Sequence, residues 1–145
     1  MTDRPLPDIE DPQFAPFWQG TARRELRVPR CAVCRAYGWP PRPVCAGCHG
    51  MDFRWEPAPA HGQLYTWTVV AHQTMQAFPP PYVVGLVELA PGLRMLGNVV
   101  GAEPGALTVG LRLRAQFAPV AEAVTLVNWA PDDPVAVAGP VEPDG

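Results

Sequence analysis

Lysine and serine are both absent from this 145-residue sequence. Without lysine there is no Schiff-base amine and no P-loop lysine. Without serine there is no serine nucleophile of any family. Long apolar runs are missing too. No stretch is long enough to span a bilayer, and the acidic, polar opening MTDRPLPDIEDPQF has no apolar leader region. A cytoplasmic location follows as an expectation, with no membrane partner and with thiols kept reduced. What the chain has in abundance is proline, 20 residues, with 13 glycines beside it. That composition argues against a helical bundle and for short strands, turns and tails. At 48% hydrophobic residues a real core is possible, and the length fits one domain or two small modules.

The net charge of −3 is ordinary, but its distribution is not. Residues 22 to 54 carry seven arginines against Glu25 and Asp52, whereas residues 55 to 145 carry three against eight acidic groups. Basic surface therefore belongs to the first half of the chain, and to the part that holds every cysteine.

Residues 1–13 read as an extended arm. Phe14, Phe17, Trp18, Thr21 and Ala22 then follow helical spacing, and Pro16 suits a first turn, so a short helix is expected to end near Arg24. LRVPR, 26–30, leads into the cysteines, and EPAPAHG, 56–62, reads as a linker. Five strand-like segments come next: 64–70, 82–89, 94–100, 107–120 and 124–130. In 107–120, Leu111, Leu113, Ala115 and Phe117 alternate with Arg112, Arg114 and Gln116. Gly85, Gly97 and Gly110 fit bulges or tight bends. The expected fold class is mostly β: a short N-terminal helix, a four-cysteine zinc ribbon, and a five-stranded antiparallel OB-fold barrel. The expected segments are 1–25 for the arm and helix, 26–55 for the ribbon, 56–130 for the OB-fold and 131–145 for a flexible tail.

The chemistry-bearing stretch is CAVCRAYGWPPRPVCAGCHG, 31–50. Cys31, Cys34, Cys45 and Cys48 form two Cys-x-x-Cys pairs separated by ten residues. Two such knuckles supply four thiolates for tetrahedral Zn²⁺. Four protein ligands leave no open position for water, so the metal is structural and no catalytic residue is assigned. The same ligands also suit a rubredoxin-like iron centre. A thioredoxin dithiol would need a βαβ setting, and a zinc deaminase a His-x-Glu upstream; neither is present. His49 is an alternative ligand although four cysteines already suffice, His61 lies in a turn, and His72 closes a strand. None stands at a fixed spacing from a second acid or base.

The order of parts carries a family resemblance. PFWQG (16–20), the cysteine ribbon with Pro40-Pro41 between its knuckles, FPPPYVVGLVEL (78–89) and TVGLRLRAQF (108–117) together resemble the DUF35 family, over about residues 14 to 130. Arg35 departs from the pattern, since family knuckles often have glycine after the second cysteine. The resemblance implies a rubredoxin-like zinc ribbon fused to an acyl-CoA-associated OB-fold. It implies a companion subunit for a thiolase-superfamily retro-aldolase of the lipid-transfer-protein type, acting in steroid side-chain degradation. A MaoC-like enoyl-CoA hydratase, or a thiolase/HMG-CoA synthase assembly, is the alternative partner.

On that reading the chain is a non-catalytic member of a hetero-oligomeric aldolase complex that helps to form an acyl-CoA site. Phe14, Phe17, Trp18, Phe78 and Tyr82 are candidates for the partner interface. Arg30, Arg35 and Arg42 are candidates for the CoA phosphates, because guanidinium pairs phosphate in two-pronged fashion. A solvated basic face is the competing reading of the same arginines. A single-strand-binding OB/zinc-ribbon module is the competing function. It needs a basic groove with stacking aromatics, and the acidic strand half argues against a nucleic-acid partner.

Overall fold

The computed structural model describes residues 4–133. The tail expected over 131–145 lies outside the described residues from 134 onward, and its first residue, Pro131, instead completes the last strand. No helix among the described residues is long and apolar enough to cross a membrane.

The helix α1 spans Ala15–Ala22 with Pro16 in its first turn. Asp11 prepares its start: its carboxylate accepts from Gln13 N–H at 3.0 Å, and its carbonyl from Phe14 and Ala15 N–H at 2.9 and 2.7 Å. The end is a Schellman turn. Glu25 N–H reaches back to Gly20 O and Arg24 N–H to Thr21 O, both at 2.9 Å, with Arg24 in the left-handed region at φ 59°. The face carrying Phe17, Gly20 and Thr21 is buried.

Two strands, β1 (Arg27–Cys31) and β2 (Phe53–Pro57), pair antiparallel and frame the cysteine segment. Five more form a closed barrel: β3 (His61–Val70), β4 (Tyr82–Ala90), β5 (Leu93–Val99), β6 (Arg112–Ala121) and β7 (Val124–Pro131), in the order β3-β4-β5-β7-β6. The supposed linker 56–62 is mostly strand, shared between the end of β2 and the start of β3.

The barrel is mixed rather than antiparallel. β7 runs parallel to β5, through the register pair Val99↔Trp129 and the 2.8 Å bond from Val100 N–H to Trp129 O. The connection after β5, with its short 3₁₀ turn at Pro104–Ala106, carries the chain across to pair β6 with β3. The β6–β7 hairpin then brings β7 back beside β5 in the same direction. Alternation of side chains reports which residues face inward, and it carries no information about strand direction.

Inward side chains fill the barrel: Leu64, Val83, Val87, Leu93, Met95, Leu113 and Trp129 are all nearly or fully buried. They form one cluster with Phe17, Leu26 and Val28, so helix, ribbon and barrel share a core. Two of the glycines act differently from expectation. The bulges lie at Leu64/Thr66, Glu88/Ala90 and Pro119/Ala121. Gly85 and Gly97 instead face each other in register across β4 and β5. They leave room for large neighbours: a Cβ on Gly97 would stand 2.7 Å from the Trp129 indole. Gly110, at φ 88°, is the expected tight turn before β6. The barrel's β3–β6 seam has three register pairs. Beside it His61 Nδ1 meets Asp132 Oδ1 at 3.2 Å, across the start of β3 and the end of β7.

Candidate metal centre and the surfaces around it

The first knuckle follows β1 directly and the second closes just before β2, so the antiparallel pair brings both to one end. Arg35 N–H bonds Cys31 O and His49 N–H bonds Cys45 O, each at 3.0 Å. Both turns are completed by a non-glycine residue in the left-handed region, Arg35 at φ 66° and His49 at φ 63°. The residue that departs from the family pattern thus adopts the conformation that glycine would take more easily.

Cys31, Cys34, Cys45 and Cys48 converge with all four Sγ atoms within 4.8 Å of one another. The pairs Cys31–Cys48 and Cys34–Cys45 are each 3.6 Å apart. A disulfide requires about 2.05 Å, whereas tetrahedral Zn–S bonds of about 2.3 Å put sulfurs roughly 3.8 Å apart. The spacing fits a four-thiolate metal site. Main-chain donors already face the sulfurs: Gly47 N–H to Cys45 and Gly50 N–H to Cys48, both 3.4 Å.

The thiols divide accordingly. Cys45 is lowered to about 6, first by N–H groups of Cys48 and Gly47. Cys31 is lowered by those of Cys34 and Val33. At Cys34 the Ala36 N–H also lowers, but Cys45, burial and the other two sulfurs outweigh it and push the thiol up to about 11. Negative charge is favoured here yet cannot accumulate on all four sulfurs without a cation. His49 is exposed, outside this set.

The three candidate phosphate-binding arginines have different surroundings. Arg35 grips Glu56 with both guanidinium nitrogens, at 2.8 and 3.1 Å. This pairing raises the Arg35 pKa and lowers that of Glu56. Arg30 donates to Arg35 O at 2.6 Å, stacks on Tyr37 with 4.4 Å to the ring centre, and approaches Glu56 at 3.8 Å. Arg42 is exposed and makes no ion pair among the described residues; it rims a cleft with Pro41, Phe53 and Trp55.

The aromatic candidates gather in two neighbouring clefts. Phe14, Phe17 and Trp18 line one of about 300 Å³ between α1 and the β5 and β7 strands. Phe17 itself is buried, with ring contacts to Trp18 at 4.9 Å and Trp39 at 4.8 Å. It serves the core, while Phe14 and Trp18 stay half-buried. Phe78 and Tyr82 line a second cleft of about 220 Å³, with Arg4 lying 5.2 Å over the Phe78 ring. Asn98 and Asn128 line both clefts. Sequence reasoning passed over Trp39, Asn98 and Asn128. The asparagines gave a signal, since Asn is uncommon inside strands. Trp39, in a proline-rich loop, gave none.

Two family models match the chain: the rubredoxin-like zinc ribbon domain of ChsH2 over residues 18–54, and the C-terminal OB-fold domain of ChsH2 over residues 55–118. A solved structure described as "Ltp2-ChsH2(DUF35) aldolase" superimposes with a TM-score of 0.76 at 32% identity, covering 88% of this chain and 98% of that one. A DUF35 domain-containing scaffold protein of Methanocaldococcus jannaschii is 30% identical over 79% of this chain and 83% of its own length. The chain belongs to the DUF35 family.

Two further relatives are longer proteins. A probable enoyl-CoA hydratase alpha subunit of Thermomonospora curvata is 34% identical over 132 residues, 90% of this chain and 41% of the relative. The 3-oxo-4,17-pregnadiene-20-carboxyl-CoA hydratase alpha subunit of Mycobacterium tuberculosis is 29% identical over 117 residues, 81% of this chain and 37% of the relative. The chain spans about two fifths of the length of these two hydratase subunits.

Proposed function

We propose that this DUF35 chain is an accessory, non-catalytic subunit of an acyl-CoA-processing complex. Its partner is a thiolase-superfamily retro-aldolase acting in steroid side-chain degradation. The observation that carries the choice of partner is the likeness, at 32% identity and over 98% of the relative's length, to the DUF35 chain of an aldolase. The steroid assignment draws on the pregnadiene-carboxyl-CoA named for one relative. Cys31, Cys34, Cys45 and Cys48 hold a structural Zn²⁺ that fixes the end of the ribbon, and the reacting groups belong to the partner. Arg42 is the CoA-phosphate candidate left uncommitted inside the chain, with Trp55 and Phe53 beside it; Arg30 and Arg35 are the weaker candidates because they already serve Glu56.

A second reading is favoured by the two hydratase alpha subunits: partnership with a MaoC-like enoyl-CoA hydratase. Coexpression distinguishes the two. The chain is produced with an Ltp2-type aldolase subunit and, separately, with a MaoC-like hydratase subunit. Each preparation is assayed on a steroid β-hydroxyacyl-CoA and on the matching enoyl-CoA. The expected result is a stable complex with the aldolase subunit that cleaves the hydroxyacyl-CoA, and no turnover by the chain alone. Turnover by the isolated chain, or an aldolase whose activity and mass do not change when the chain is present, overturns the proposal.

A further inference from the structure

We propose that the two aromatic clefts are one continuous docking trough, occupied by an apolar segment of the partner subunit whose one charged group is an acidic side chain where it reaches Arg4. The inference rests on the accessory-subunit reading and adds to it a surface and the chemistry of what fills it.

Continuity comes from Asn98 on β5 and Asn128 on β7, which line both clefts. The trough runs from Phe14 and Trp18 at the helix to Phe78 and Tyr82 at the far end. Leu96, 65% exposed, stands at its edge in place of the polar residue expected on a solvated strand face. Among the described residues lining the two clefts, Arg4 is the single charged one. Charge complementarity therefore specifies an apolar occupant whose one charge is an acid at that end.

Two other occupants fit less well. A small ligand needs a few convergent polar groups to fix its orientation. Here the Asn98 amide already donates to Val83 O at 3.2 Å, and no carboxylate or second cation lines the clefts among the described residues. Rows of aromatic and aliphatic side chains around an open floor are instead the composition of a protein interface centre. A second copy docking by two-fold symmetry would have to bring an acid of the same trough to Arg4, and the described residues of the trough include none.

The test uses the whole chain with a purified Ltp2-type aldolase subunit as probe, and titration calorimetry as the readout. Leu96→Asp places a charge in the trough at an exposed position; Arg4→Glu reverses its one charge. Val109→Asp, 74% exposed and outside both clefts, is the control. Circular dichroism and metal content establish that each variant is folded. Leu96→Asp is expected to weaken binding by roughly 30-fold or more, the scale of a hot-spot loss. Arg4→Glu is expected to weaken it about tenfold, and Val109→Asp to leave it unchanged. Unaltered binding by folded Leu96→Asp overturns the trough and leaves the accessory reading standing. Failure of the unsubstituted chain to bind overturns the aldolase partnership together with the trough. Quenching of tryptophan fluorescence by an acyl-CoA in the chain alone, or a dimer of the chain alone, overturns the protein occupant if Leu96→Asp abolishes either.

Discussion

His49 is a residue whose role is conformational. It is exposed and holds φ 63° where the second knuckle turns back. A left-handed non-glycine residue costs about 1–2 kcal/mol, part of which glycine returns as lost chain entropy. His49→Gly is therefore expected to change stability by less than about 1 kcal/mol, in the stabilising direction, with full metal content; thermal melting and metal analysis check it, and loss of metal would make His49 a ligand after all. Gly97 is the opposite case. A methyl group there meets the indole of Trp129 at 2.7 Å and the main-chain oxygen of Val127 at 3.1 Å. Trp129 is fully buried within the barrel core, so the ring has no slack to give. Gly97→Ala should destabilise by about 2–3 kcal/mol. Gly105→Ala, whose added methyl meets nothing within 4 Å among the described residues, should be neutral. Denaturant midpoints of the two variants provide the comparison.

At the scale of elements, the ribbon was the most legible part, because Cys-x-x-Cys spacing is a covalent constraint on local geometry and needs no tertiary context. The helix was legible from Phe17 and Thr21, and so was its stop near Arg24, but not the left-handed backbone that Arg24 adopts to make it. Strand existence was readable in β4 and β6, where apolar residues alternate or run together. Strand direction and the role of Gly85 and Gly97 were not, since both depend on which strands become neighbours. The site shows the same division. The four sulfurs follow from spacing, whereas the engagement of Arg30 and Arg35 by Glu56 depends on the β1–β2 register that sets Glu56 beside them.

The ribbon's thiols also set a pH dependence. With Cys34 at about 11 and Cys45 at about 6, metal binding near neutrality must expel the Cys34 proton, while Cys45 is already largely thiolate. Protons compete with the metal, so affinity should fall as pH falls, and more steeply below about 6. Competition with a chromophoric chelator across pH 5–8 measures the slope; an affinity independent of pH would contradict this account.

For the molecule as a whole, the shared core decides how metal loss is felt. Leu26 and Val28 of the ribbon half are 1% and 0% exposed and belong to the cluster that fills the barrel. Chelation should therefore lower one cooperative transition, by about 10 °C or more, rather than melt a separate ribbon and leave the barrel unchanged. Calorimetry with and without chelator reads this directly. Two well-separated transitions would mean that the ribbon and barrel are energetically independent.

The contact between His61 and Asp132 has a consequence for how the barrel can be rewired. Its first strand begins and its last strand ends within a side chain's length of each other. A short engineered tether could join those two points and a new opening be cut at the exposed Gly105. The permuted barrel would keep all five of its own strand neighbours while parting from the helix and ribbon, whose Phe17, Leu26 and Val28 complete its core.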